Sequence, residues 1–137
     1  MDDTIHYLNT DLNLTSADDL TALAAAFEAQ GVFPLHVTRR DDGLWYATFE
    51  AEKFYGEPEP NITAMMAIIE SLIEPLRIAW SACTLREFDI GYDCGFKLQA
   101  FNQGLSSQLL ERMGAAGASL RITLYPPTRE KTTEQDS

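Results

Sequence analysis

The run VFPLHVTRRDDGLWYATFEAE, residues 32–52, decides the fold. Two stretches rich in β-favouring residues flank Asp41-Asp42-Gly43, where Asp and Gly tolerate the positive φ of a tight turn, so the run is a β-hairpin. In its second strand Trp45, Ala47 and Phe49 share one face, while Tyr46, Thr48 and Glu50 share the other, the period of a half-buried strand. Pro34 lacks an N–H and belongs near the start of the first strand or on a sheet edge.

Outward from the hairpin, both neighbours are helical. TSADDLTALAAAFEAQG (15–31) places Leu20, Leu23, Ala24 and Phe27 at helical spacing, with Ser16 as expected N-cap, Asp18 and Asp19 at the positive end of the helix dipole and Gly31 as terminator. NITAMMAIIESLIEPLRIAWSAC (61–83) carries a broad apolar stripe from Ile62 to Leu76, with Asn61 as expected cap. Pro75 interrupts it, so a kink, or two short helices meeting near Glu74, is expected. Between hairpin and helix, KFYGEPEP (53–60) holds two prolines and a glycine and is expected to be a stiff loop. Methionines at helical spacing are core residues before they are a binding groove.

Three further stretches alternate. TIHYLNTDLNL (4–14) predicts a first strand with Leu8, Leu12 and Leu14 on one face. REFDIGYDCG (86–95) sets Phe88, Ile90, Tyr92 and Cys94 against Glu87, Asp89, Gly91 and Asp93. ASLRITLYPP (118–127) alternates Leu120, Ile122 and Leu124 with Arg121, Thr123 and Tyr125 and predicts a half-buried strand. Before it, SSQLLERMGAAG (106–117) is a short helix capped by Ser106, with Leu109, Leu110 and Met113 inward and Gly117 at its end. FKLQAFNQGL (96–105) is a loop or a further short strand.

The order is β-α-β-β-α-β-(β)-α-β. It predicts one α+β domain over residues 1–126, with a mostly antiparallel sheet, helices on one side and a ferredoxin-like opening. Residues 127–137 are polar, without apolar periodicity, and are expected to form a disordered tail.

Charge bounds the partners. Ten Lys and Arg stand against 21 Asp and Glu, a net of −11. Residues 1–60 hold twelve of the acids and three of the bases, so the negative field comes mainly from the first half. Such a field repels nucleic acid and anionic membranes and favours a basic protein partner. A 45% hydrophobic composition supplies a core without metal or disulfide. Cys83 and Cys94 form no CxxC motif, and no signal peptide or long apolar run occurs, so a soluble cytoplasmic protein with reduced thiols is expected.

Catalytic signatures are missing. His6 and His36 show no HxH or HExxH spacing, and there is no P-loop, GxGxxG or GxSxG, so no enzyme and no cofactor are expected. The carboxylates Glu87, Asp89 and Asp93 lie about 7 Å apart along one strand face, near enough to share a cation. A hard cation needs about six oxygen ligands, usually from a wrapping turn, so the first expectation is a wet face paired across strands by Arg86, Arg121 or Lys97. A divalent-metal or small-ligand site there is the alternative. The stronger surface candidate joins acids and aromatics around the hairpin and the loop after it: Asp41, Asp42, Tyr46, Phe54, Tyr55, Glu57 and Glu59. Aromatic anchors with an acidic rim suit a basic partner, and an immunity or antitoxin-type protein, monomeric or dimeric, is the leading expectation.

The second half, from IIESLIEPLRIAWSACTLREFDIGYDCG through FNQGLSSQLLERMGAAGASLRITLYP, resembles the C-terminal part of small uncharacterised bacterial proteins classed as domains of unknown function. That resemblance implies no catalytic residues.

Overall fold

A computed structural model describes residues 4–97 and 99–127. The expected hairpin is β2 (Val32–Arg39) and β3 (Trp45–Ala51), preceded by β1 (His6–Ser16) and α1 (Thr21–Glu28). Then come α2 (Pro58–Glu70), α3 (Glu74–Ser81), β4 (Leu85–Asp93), α4 (Ser107–Ala115) and β5 (Ser119–Tyr125). The five strands form one sheet in the order β2-β3-β1-β4-β5. All pairs are antiparallel except β4 with β5, which α4 joins as a parallel crossover. The order β2-β3-β1-β4 is that of a split β-α-β unit, with α4 and β5 appended.

One face of the sheet is covered over its central strands, while β5 at the edge stays exposed. Leu12 and Leu14 of β1, Ala47 and Phe49 of β3, and Phe88 and Ile90 of β4 are buried with Leu23 and Phe27 of α1, Met65 and Met66 of α2, and Trp80 of α3. Phe27 stacks at a tilt on Phe49, ring centroids 5.0 Å apart, and meets Trp80 at 6.3 Å. Pro75 stands in the first turn of α3, where its missing N–H costs nothing, and the helical run divides after Glu70. Gly43 in the hairpin turn has φ 84°, the left-handed conformation expected there.

Several local expectations are corrected. β1 carries a bulge: Tyr7 pairs with Tyr92 but Asn9 pairs with Gly91, so Leu8 is the extra residue. The insertion reverses the alternation. Tyr7 is therefore buried with Thr10, Leu12 and Leu14, whereas Leu8 leaves the core and is 38% exposed. Ser16 is the buried last residue of β1 and not a helix cap; α1 starts five residues later, with Asp19 accepting from the Thr21 N–H at 2.7 Å. Asn61 lies inside α2, because Pro58 and Pro60 open the helix that the sequence pattern assigns to a loop. Residues 96–105 contain no strand among those described, and Leu110 on α4 points outward. The expected tail, apart from Pro127, lies outside the described residues.

Arg86 closes the lower end of the sheet. Its guanidinium donates to the carbonyls of Trp80 and Ser81 in the last turn of α3 and of Cys83 just beyond it, and to that of Gly117 after α4. One cation thus satisfies four acceptors at two helix ends, where the helix dipole also favours positive charge. Gly117, at φ 74°, leaves room for it, since a Cβ there would stand 2.7 Å from an Arg86 nitrogen.

The bulge makes the two leucines unequal. Leu12→Ala is expected to cost about 3 kcal/mol in urea unfolding, and Leu8→Ala less than about 1 kcal/mol. Equal losses would contradict the bulged register.

Candidate functional site

All four helices lie on one side of the sheet, so the other side faces solvent with the residues that alternate away from the core. The register aligns them in rows. One row runs Glu50 (β3), Asp11 (β1), Asp89 (β4) and Arg121 (β5); the next runs Thr48, Asn13, Glu87 and Ser119. Asp11 therefore has a carboxylate directly opposite on each side. Directly opposed side chains in antiparallel strands have Cβ atoms about 5 Å apart, and like charges there are destabilising.

The row is only partly neutralised. Arg121 Nε meets Glu87 Oε2 at 3.0 Å, and Asn13 donates to the other Glu87 oxygen. Thr123 donates to Asp89 Oδ1 at 2.7 Å. Asn9 Nδ2 serves Glu50 at 3.1 Å and Asp11 at 3.4 Å. The amide of Asn9 is aimed from the helix side, where Asn61 Nδ2 donates to Asn9 Oδ1 and to the Tyr7 hydroxyl, itself bonded to Thr10. Asn61 Oδ1 is buried in that network without a partner among the described residues. Burial, then the charges of Glu50 and Asp89, pushes the Asp11 carboxyl up to about 6.

Above the row lies a shallow cavity of about 270 Å³, lined by Leu8, Asn9, Asp11, Glu50, Asp89, Gly91 and Tyr125. The bulge supplies Leu8 to it. Gly91 admits the Tyr125 ring, whose Cε2 stands 3.2 Å from where a Gly91 Cβ would be. The lining thus combines carboxylates on the floor with an aromatic ring on one wall, groups whose chemistry favours a positive charge. A second groove of about 240 Å³ on the same face includes Asn13, His36, Arg40, Tyr46, Thr48 and Glu87.

The residues singled out from sequence fall into separate places. Asp41 and Asp42 sit at the turn end of β3, whereas Phe54, Tyr55 and Glu57 follow its other end, so β3 separates them by about 20 Å. Tyr46 stands on the open face, where its hydroxyl donates to Asp42 at 2.6 Å and its ring lies under Arg40, 4.0 Å away. That bond, with the Leu44 N–H, holds the Asp42 carboxyl below its ordinary range and raises the Tyr46 phenol. Phe54 is 77% exposed, and Lys53 lies 5.3 Å from the Tyr55 ring centroid. Glu59 is engaged within the fold, where it accepts from both the N–H and the hydroxyl of Ser106, the cap of α4, which lowers its pKa.

The alternative carboxylates are likewise dispersed in role. Glu87 is buried against Arg121, Asp89 joins the acidic row, and Asp93 accepts from the Gly95 N–H. Of the expected cross-strand cations, Arg121 takes that place, while Arg86 turns to the helix ends. Among the described residues no group of three or more His, Cys, Asp or Glu side chains is arranged to hold a metal ion. Cys83 and Cys94 are free thiols, and burial pushes Cys83 up to about 11. No described helix is long and apolar enough to cross a membrane. Glu50 is one of the acids of the hairpin read from the sequence, whereas Asp11 was legible only as a member of an alternating strand; their meeting depends on the register between β1 and β3.

The raised Asp11 pKa has a definite sign. The folded value lies above the ordinary 3.8, so folding favours the protonated carboxyl, and stability falls as pH rises from about 4 to about 6. Full linkage would amount to about 3 kcal/mol, which water on the open face reduces to about 1 kcal/mol. Asp11→Asn should therefore be more stable than the parent by about 1 kcal/mol at pH 7, the gap closing below pH 4; urea unfolding at both pH values checks it.

Comparison of the chain with protein-family models, with curated proteins and with solved structures gives no match.

Proposed function

We propose that this chain is a non-enzymatic binding protein of the immunity or antitoxin type, which masks a basic protein by docking it on the open face of the sheet. The observation that carries the reading is the Asp11 row. Two like-charge cross-strand pairs converge on one residue, and a cavity of about 270 Å³ opens above them with an aromatic wall. Such an arrangement costs stability in the free protein and is offset when a Lys or Arg side chain enters between the carboxylates. The Tyr125 ring would contribute a cation–π contact to the same group.

Charge acts at longer range as well. With a net charge of −11, the chain attracts a basic partner before contact, and Asp41 and Asp42 at one end of β3 and Glu57 beyond the other extend that field. Tyr46 on the face and Phe54 and Tyr55 at its margin supply apolar contact area. In this reading the protein works in the cytoplasm, with both thiols reduced, and uses no cofactor.

The tagged protein, incubated with a lysate at low and moderate salt, is expected to retain a single basic protein that is released as salt rises. A variant combining Asp11→Asn, Glu50→Gln and Asp89→Asn should associate with that protein roughly tenfold more slowly, with a flatter salt dependence. Unchanged association kinetics would remove the acidic row from the interface, and retention of no basic protein would end the masking reading.

A further inference from the structure

The two edges of the sheet are built differently. β2 is guarded by Pro34, by a register shift between Pro34 and His36, and by Arg39 and Arg40 at its end, devices that discourage a further strand from pairing there. β5 has neither a proline nor a register shift, and Arg121 is its one charged residue. Its seven residues, SLRITLY, contain no proline, no lysine and no acid, and its pairing with β4 runs without a bulge.

The side chains of β5 are equally unusual. Leu120, Ile122 and Leu124 alternate toward the helix side, the pattern of a covered face, yet they are 41%, 58% and 58% exposed. Leu110 of α4 and Phe101 are exposed beside them. Ile5, Tyr92, Phe101, Gln103, Ile122 and Leu124 line a groove of about 260 Å³ along this edge. Among the described residues no strand pairs with the outer edge of β5, and its apolar side is left open.

We infer that the neighbour is β5 of a second copy, paired antiparallel about a two-fold axis through Ile122, so that two five-stranded sheets join into one of ten strands. Three observations select this occupant. First, the strand is self-complementary. With Ile122 opposite Ile122, Leu120 faces Leu124 in both directions, and all three apolar residues of each copy meet on one side. Moving the register by two residues either sets Arg121 against Arg121 or leaves a leucine unmatched, and moving it by one puts apolar against polar faces. Second, the charge fits. Two chains of net −11 repel, and β5, with Arg121 as its single charge, is a strand on which they can approach without opposing acids. Arg121 then lies opposite Thr123 of the other copy. Third, apolar surface is available. The exposed parts of Leu120, Ile122 and Leu124, with Leu110 and Phe101 beside them, amount to about 450 Å² per copy and about 900 Å² per pair at full burial. The paired backbone edges bring the total close to the roughly 1,000 Å² of a stable interface.

The perpendicular axis keeps both helix layers on one side and both open faces on the other. The dimer would therefore present two Asp11 rows on a continuous surface, but its existence does not depend on what those rows bind.

Sedimentation of the full chain across micromolar concentrations tests the inference. The parent is expected to approach twice its 15.3 kDa mass. Ile122→Lys and Leu124→Glu, both at exposed positions, should sediment as monomers with the circular dichroism of the parent, and Leu35→Lys on the guarded β2 edge should remain dimeric. A parent that stays monomeric throughout would overturn the inference and leave the edge to a foreign strand. So would a dimer that both β5 variants leave intact.

Discussion

The pairing of β1 with β3 on one side and β4 on the other is the constraint from which the rest of the molecule follows. It lines up Leu12, Phe49 and Phe88 in one buried layer beneath the helices. The same register, read on the opposite face, sets Asp11 between Glu50 and Asp89. Core and acidic row are consequences of one hydrogen-bond ladder, because alternate residues of a strand cannot choose their faces independently. A slip of one residue would bury the carboxylates and expose the leucines, so the apolar layer is also what keeps the acids together.

The helix layer contributes orientation to that face. Asn61, at the start of α2, reaches through to Asn9, and Asn9 aims its amide at the two flanking acids. The bulge in β1 belongs to the same arrangement, since it lets Tyr7 join the buried polar network while Leu8 moves to the wall of the cavity. Bulges are frequent where a strand must re-aim a side chain, and here one extra residue does so for both Tyr7 and Leu8.

Much of the architecture was legible in the residues. The hairpin turn, the helix break at Pro75, the Ser106 cap and the alternation of Phe88, Ile90 and Tyr92 are local features with local causes, and each is found. What the chain concealed was non-local. Leu8 looks equivalent to Leu12 until its partner strand shows that one residue is unpaired. Pro58 and Pro60 look like loop residues because proline breaks a helix interior, yet the first turn tolerates it. Asp11 and Glu50, 39 positions apart, carry no shared pattern; only the strand order makes them neighbours. The acids and aromatics around residues 41–59 were adjacent in the chain, and β3 separates them in space.

The position of β1 also governs when the fold can form. Its partner β4 ends at Asp93, and 74 positions separate Asn13 from Glu87, which it contacts. Until that strand has left the ribosome, β1 has only the hairpin to pair with, and the layer of Leu12, Phe49 and Phe88 stays incomplete. Long-range pairing of this kind slows folding, since the loop must close before its contacts reward it. During synthesis the first ninety or so residues therefore form a chain with an unfinished sheet, and the excess of acids in residues 1–60 sets a like-charge repulsion against the joining of open strands between neighbouring nascent chains.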